Sequence, residues 1–350
     1  MARMSQRKSG GLPLPKKAAA PAKSIPLHFE GKEFPSEVMR ALRKSFQRLS
    51  AKELADGAEM FSRLRKRFGG EFRGSSVAEV FEYTDQVFGA VLRDYTTFSA
   101  TVPVLLQRSD ERRPELVGSG VLMRIINRVF LLTAAHVTDY QSEGALLIPG
   151  RQGFIPANGY FAAMCLPASG CRAEDKLDVA YFWLDDGCVS DLDGSCTILE
   201  NRHLSLEASP LRRTFYTFAG FPWRKSRGRG RSIETDFWTF TGVEAQESEY
   251  RALGLTRSLH IVMQFHRKQA FHRGKRRAMT APLPHGLSGG GVYAWDEAAM
   301  KTSPVYLPLA GIANEFVAER SLLIATRLHV YVSCIFQNQP DLAAMVRNNH

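Results

Sequence analysis

No stretch of this chain approaches the roughly 18 consecutive apolar residues that a membrane-spanning helix needs, and its first thirty residues lack the apolar core of a secretory signal. Cysteine is scarce: Cys165, Cys171, Cys188, Cys196 and Cys334 make an odd five, with no Cys-x-x-Cys pair and no histidine at metal-ligand spacing. Neither a zinc site nor a disulfide framework is expected from them, although Cys165 with Cys171 stays open as a pair. Acidic residues are missing from two places, residues 1–26 and the stretch between Lys268 and Ser288. These absences lead to the expectation of a soluble, non-secreted protein with free thiols and no membrane partner. A bacterial cytoplasm is the compartment that such thiol usage suits.

Across 350 residues the formal charge is +11, unevenly placed. Residues 1–96 hold 18 Lys/Arg against 11 Asp/Glu, and the remainder 28 against 24. Residues 1–30 are rich in Lys, Pro, Ala and Gly, too poor in core-forming side chains to fold, and read as a disordered basic tail. A transit peptide is the competing reading, opposed by Pro13, Pro15 and Pro21. Residues 31–96 read as a helical extension: Ser50-Ala51-Lys52-Glu53 and Ser76-Val77-Ala78-Glu79 fit capping boxes. Val80, Tyr83, Val87 and Val91 then recur at helical spacing, a face suited to docking on a neighbouring domain or on a regulatory protein partner. From residue 97 the pattern changes to short β-rich runs between turns, among them Val117–Arg124, Val129–Leu132, Val179–Leu184 and His260–Phe265.

Three segments in one order carry the chemistry: Thr133-Ala134-Ala135-His136, Leu177-Asp178-Val179-Ala180 and Gly286-Leu287-Ser288-Gly289-Gly290. A serine hydroxyl attacks a carbonyl only when an imidazole takes its proton and a carboxylate holds that imidazole in the right tautomer. His136, Asp178 and Ser288 are the candidate base, acid and nucleophile. Asp175, Asp185 and Asp186 compete with Asp178, which is preferred because Leu177 and Val179 flank it.

These segments, with Gly118-Ser119-Gly120 upstream, resemble those of the chymotrypsin-like (trypsin-like) serine proteases. The resemblance covers about residues 97–350. It implies a mainly β fold of two antiparallel six-stranded barrels, with a boundary near residue 200 and the active site in the cleft between them. A terminal helix over Asn338–Val346 would follow. It also implies a protein or peptide substrate, no cofactor or metal, and an oxyanion hole made by the N–H groups of Gly286 and Ser288. By the same resemblance Pro282, six before the nucleophile, lies at the base of the specificity pocket, and Gly311 and Ala313 on its wall; His285, three before Ser288, reads from the sequence as a positive charge near that pocket. The absence of an acid before Ser288 disfavours cleavage after Lys or Arg. The basic run from His266 to Arg277 suggests instead acidic residues in the substrate.

Two rivals are weaker. Gly-x-Ser-x-Gly also marks the nucleophile elbow of α/β-hydrolases, but their histidine follows the serine and their elbow enters a helix, which Gly289, Gly290 and Gly291 disfavour. The run Arg224-Lys225-Ser226-Arg227-Gly228-Arg229-Gly230-Arg231 after Phe221-Pro222-Trp223 would suit nucleic acid with aromatic stacking, yet reads more simply as a solvated loop. A catalytically silent binding protein of the same fold is the remaining alternative, which the intact motifs oppose.

Overall fold

In the computed structural model the described residues are 25–27, 98–111, 113–192, 194, 196–206, 215–223, 227–229, 232–234, 237–265, 267, 270–272, 277–295 and 307–348. The expected helical extension, residues 31–96, lies outside them, as does the basic tail apart from Ile25–Leu27.

Two mainly antiparallel sheets, two small hairpins and a few helices make up the described residues. The first contains β1 (Ile25–Leu27), β2 (Thr101–Arg108), β3 (Glu115–Ile125), β4 (Arg128–Ala134), β5 (Gly144–Gly150), β6 (Gly153–Pro156), β7 (Gly159–Met164) and β8 (Val179–Leu184), in the order β1-β7-β8-β4-β3-β2-β5-β6. All pairings are antiparallel except that of β1 with β7. The count differs from the six strands expected. A tight turn at Arg151-Gln152 folds the chain back so that β6 pairs with β5 from Gly150 opposite Gly153, adding an edge strand, and β1 adds another.

Alternation explains the burial. Leu122, Leu131, Leu146, Phe161 and Phe182, from five different strands, meet in one apolar cluster, which requires the sheet to curl around it. The intervening residues Val121, Met123, Phe130, Leu132 and Tyr181 face the other way, into a core shared with the second half. Central strands such as β4 are therefore covered on both faces, and each fully buried Leu there contributes about 1.5–3 kcal/mol relative to exposure.

The second sheet consists of β9 (Phe215–Gly220), β12 (Trp238–Val243), β13 (His260–Gln264), β16 (Gly291–Trp295), β17 (Leu309–Val317) and β18 (Leu322–Arg327), in the order β12-β9-β16-β17-β18-β13. A bridge between Glu244 and Met263 brings its two edges together. Phe218, Met263, Val292 and Leu323 fill its interior. Ala219, Tyr293, Leu309 and Ile312 join the shared core.

Two small hairpins project from this sheet, β10 (Arg227–Arg229) with β11 (Ser232–Glu234), and β14 (Ala270–His272) with β15 (Arg277–Met279). The arginine-rich run after Trp223 is thus partly strand and not only loop. Because neighbouring strands run antiparallel, the end of β9, the start of β12, the end of β13 and the start of β16 share one end of the sheet. Both hairpins therefore leave the sheet at the end where the Ser288 loop enters β16.

After β18 the chain forms α4 (Leu328–Asn338) and α5 (Pro340–Asn348), preceded in the chain by the short helices α1 (Ala135–Thr138), α2 (Asp186–Leu192) and α3 (Glu247–Ala252). The terminal helix expected over Asn338–Val346 corresponds to α5, which Pro340 opens, and α4 precedes it. Leu328, Val332 and Ile335 of α4 lie in the shared core, and the Tyr331 hydroxyl donates to the carbonyl of Thr133 at 2.9 Å. No helix among the described residues is long and apolar enough to cross a membrane. No disulfide joins the five cysteines; Cys188 and Cys334 are buried and Cys171 is exposed.

Candidate active site

His136 sits in α1 immediately after β4, and Thr133, Ala134 and Ala135 before it are fully buried. Small residues let this turn lie against the strand ends, where Thr133 Oγ1 donates to the carbonyl of Ser119 at 2.8 Å. The Ala135 N–H donates to the carbonyl of Asp178 at 2.9 Å, joining the start of α1 to the residue before β8.

The Asp178 carboxylate grips His136 twice. Oδ1 accepts the backbone N–H of His136 at 2.9 Å, and Oδ2 lies 2.6 Å from Nδ1. An ionised carboxylate only accepts, so Nδ1 carries the proton and Nε2 is left with a free lone pair. The Asp178 side chain is 7% exposed and that of His136 35%. Burial works against the imidazolium, but the hydrogen bond and charge of Asp178 outweigh it and hold the His136 pKa above its ordinary value. Burial likewise raises the Asp178 pKa, against the lowering effect of His136.

Asp178 has φ +50°, unusual for a residue other than glycine. Asp175 sustains this turn: its Oδ1 accepts the N–H groups of Leu177 at 3.2 Å and Asp178 at 3.0 Å, and its Oδ2 binds Arg172 at 3.0 Å. Arg172 in turn pairs with Asp139, just after α1. The other sequence competitor Asp185 accepts the N–H of Cys188 at 2.7 Å in the first turn of α2, and Asp186 opens that helix.

Ser288 lies on the tight loop before β16. Its Oγ donates to the carbonyl of Asn314 at 3.0 Å and not to His136. The loop is pinned by Ser119 of β3, whose N–H donates to the carbonyl of Ser288 at 2.8 Å and whose hydroxyl donates to the carbonyl of Gly286 at 2.9 Å. Glycine is required at two positions. Gly286 has φ +91° and a Cβ there would stand 2.7 Å from the Phe221 carbonyl oxygen; Gly289 has φ +84° and a Cβ would stand 1.9 Å from that of Ser119. Among the described residues, the N–H groups of Gly286 and Ser288 donate to no protein acceptor.

His136, Asp178 and Ser288 line one cleft of about 380 Å³ between the two halves. His285 and Ala313 also line it, with Pro284, Phe316 and Leu323 completing an apolar wall. Pro282 and Gly311 do not: Pro282 is buried, and Gly311 lies two residues deeper in β17, where a Cβ would meet the Thr326 carbonyl oxygen at 2.6 Å. Of the basic run, Arg267 is exposed and donates to the carbonyl of Ala281 at 2.8 Å, and His272 and Arg277 lie on the β14–β15 hairpin. His266, Lys268, Arg273, Lys275 and Arg276 fall outside the described residues.

Ser119 and Asn314 gained no role of their own from the sequence, and Asp175 entered it only as a rival to Asp178. Asp175 left a usable signal, because an aspartate two residues before an N–H it can accept is the signature of an Asx turn. Ser119 stood inside a matching strand segment, but its side-chain partners come from residues 102 and 167 positions away.

No protein-family model matches the chain, and no curated protein is similar to it. Among solved structures, one similar chain is a serine endoprotease from Yersinia pestis, at TM-score 0.40 and 13% identity over 73% of this chain and 66% of that one. This chain thus spans about two thirds of that protein's length. The serine protease domain of the Sesbania mosaic virus polyprotein is similar at TM-score 0.37 and 13% identity, covering 66% of this chain and 88% of that one. A Glu endopeptidase is similar at TM-score 0.39 and 12% identity, covering 69% and 91% respectively.

Proposed function

We propose that this protein is a serine endopeptidase that hydrolyses peptide bonds through His136, Asp178 and Ser288. The observation that carries this reading is the 2.6 Å approach of Asp178 Oδ2 to His136 Nδ1 in a cleft that Ser288 also lines. With Nδ1 committed to Asp178, Nε2 is the nitrogen free to take the Ser288 proton.

In the resting arrangement the Ser288 hydroxyl is held by Asn314. The proposed mechanism requires Ser288 Oγ to exchange that acceptor for Nε2 by rotation about its Cα–Cβ bond, a change of one hydrogen bond for another and therefore of small net cost. Catalytic hydrogen bonds commonly tighten only when substrate binds. Attack of Oγ on the substrate carbonyl forms the Oγ–C bond, and the proton passes to His136. The charge developing on the carbonyl oxygen is met by the N–H groups of Gly286 and Ser288, held in place by Ser119 and the glycine turns. His136 then gives its proton to the leaving amine as the C–N bond breaks, and water, activated by the same imidazole, releases the acyl group. The helical extension or a protein partner is the proposed place of control.

Labelling with a fluorophosphonate tests the reading directly. Wild type is expected to label, and Ser288→Ala and His136→Ala to abolish it. Well-folded wild type that resists labelling, with and without candidate partners, would overturn the reading in favour of a binding protein.

A further inference from the structure

The turn that presents Asp178 is held not only by its own half of the molecule. His260, the first residue of β13, places Nε2 at 3.1 Å from the carbonyl oxygen of Lys176. Thr326 of β18 donates its hydroxyl to the next carbonyl, that of Leu177, at 2.7 Å. These two residues are directly opposed on paired strands, and both are buried. Two adjacent side chains of the second sheet therefore grip two consecutive carbonyls, and the following residue is Asp178 in its left-handed conformation.

Nδ1 of His260 lies 3.3 Å from the N–H of Thr256 and 3.1 Å from the Thr256 carbonyl oxygen, while Nε2 faces the Lys176 carbonyl. A carbonyl only accepts, so the tautomer that bonds Lys176 carries its proton on Nε2 and leaves Nδ1 to accept the Thr256 N–H. Burial, against the raising effect of the two carbonyls, lowers the pKa of this imidazole, and the charges of Arg327 and Lys176 act in the same direction. The neutral imidazole is thus favoured, and its Nε2–H tautomer is the one that donates to Lys176. Thr326 extends the grip toward the nucleophile: Asn314 Nδ2 donates to Thr326 Oγ1 at 3.2 Å, and the Asn314 carbonyl is the resting acceptor of Ser288 Oγ. The Asp178 carboxylate itself has only His136 as a hydrogen-bond partner among the described residues. Its aim consequently depends on the backbone turn.

We propose that His260 and Thr326 are positioning residues, which hold the Asp178 turn from the second sheet and so align the carboxylate with His136 only when the two halves are docked. The kinetic consequence rests on the serine-protease reading above, whereas the alignment itself does not.

The test compares full-length wild type with His260→Leu, His260→Gln, Thr326→Val and Thr326→Ser. Gln and Ser each keep a donor that can reach the carbonyl; Leu and Val do not. Proton NMR follows the low-field Nδ1 proton and the pH titration of His136, and steady-state kinetics on a peptide substrate supplies kcat, KM and the pH profile. Leu and Val variants are expected to lose the low-field signal and titrate His136 at lower pH. They should also lower kcat ten- to a hundredfold with KM within twofold, while Gln and Ser recover most of each effect. Unchanged His136 signals and kcat in the Leu and Val variants would overturn the proposal. So would equal losses in the Leu and Gln pair and the Val and Ser pair with an unshifted titration, which would mark a purely structural role. Should His260→Leu fail to fold, the Thr326 pair carries the test. Wild type that neither labels nor hydrolyses would refute the function alone, since the NMR arm still decides the alignment.

Discussion

The Ser119 hydroxyl donates to the carbonyl of Gly286 at 2.9 Å and accepts the N–H of Phe221 at 3.0 Å, so one side chain of the first half braces the loop that presents Ser288 in the second. Ser119→Ala would leave a carbonyl and an N–H without the Ser119 hydroxyl, at a cost of about 1–3 kcal/mol for each group that stays dry. The expected outcome is a modest loss of stability in urea and a roughly tenfold fall in kcat with little change in KM. The fall arises because the Gly286 peptide, whose N–H is proposed to hold the oxyanion, loses its anchor. Equal loss in kcat and rate of fluorophosphonate labelling would place the defect in the attack step.

The His136–Asp178 pair predicts the pH dependence. Hydrolysis needs neutral His136, and Asp178 holds its pKa above the ordinary value of 6.5. kcat/KM should therefore rise with pH through a midpoint above 6.5 and fall away below it. In Asp178→Asn the main raising influence is gone; burial, the largest influence, and the charge of Arg172 then oppose only the charge of Asp139, so the midpoint should drop below 6.5. The maximal rate should fall about 10³–10⁴-fold, because an amide that donates to Nδ1 favours the wrong tautomer. An acid limb that stays in place in the variant would assign the titration to another group.

Two glycines serve both folding and chemistry. At Gly289 an alanine Cβ would stand 1.9 Å from a backbone oxygen of the central strand β3, which cannot yield cheaply. Gly289→Ala is expected to destabilise by more than about 2 kcal/mol, the positive φ alone accounting for roughly 1–3. At Gly286 a Cβ would stand 2.7 Å from the Phe221 carbonyl oxygen and 2.8 Å from the Trp223 nitrogen, both backbone, again at positive φ. Gly286→Ala is expected to lower the melting temperature as well, and the fraction that folds should label at least tenfold more slowly.

How much of this was legible in the sequence follows from the range of each interaction. His136, Asp178 and Ser288 each announce themselves within five residues, because strand, turn and small-residue context are local. The two-sheet fold was legible for the same reason, since period-two burial leaves its mark on each strand. The extra edge strand β6 left no such mark: Gly153 and Phe154 are exposed, and only the hairpin partner defines the strand. Ser119, His260 and Thr326 act on residues 84 to 167 positions away, and no local pattern records which carbonyl a buried hydroxyl or imidazole will meet.

The placement of charge argues for selectivity toward acidic substrates away from the scissile bond. One wall of the cleft beside Ser288 is apolar, formed by Pro284, Ala313, Phe316 and Leu323; Glu315, on the strand of Ala313 and Phe316, also lines the cleft, is exposed and would repel an acid there, while Arg172 and Lys176 line the cleft as well. Beyond it, the β10–β11 and β14–β15 hairpins, set in segments rich in Arg and Lys, leave the sheet at the end that carries the Ser288 loop. Peptides with a small apolar residue at the cleaved bond and Asp or Glu several residues away should be cleaved faster than neutral counterparts. That advantage should shrink between 0.1 M and 1 M salt, as the screening length falls from about 10 Å to about 3 Å. Removing the charges of Arg227 and Arg229 should reduce the advantage without slowing cleavage of the neutral peptide. Rates indifferent to distant acidic residues at low salt would assign these hairpins elsewhere; strongly salt-dependent binding of single-stranded nucleic acid would then identify their ligand.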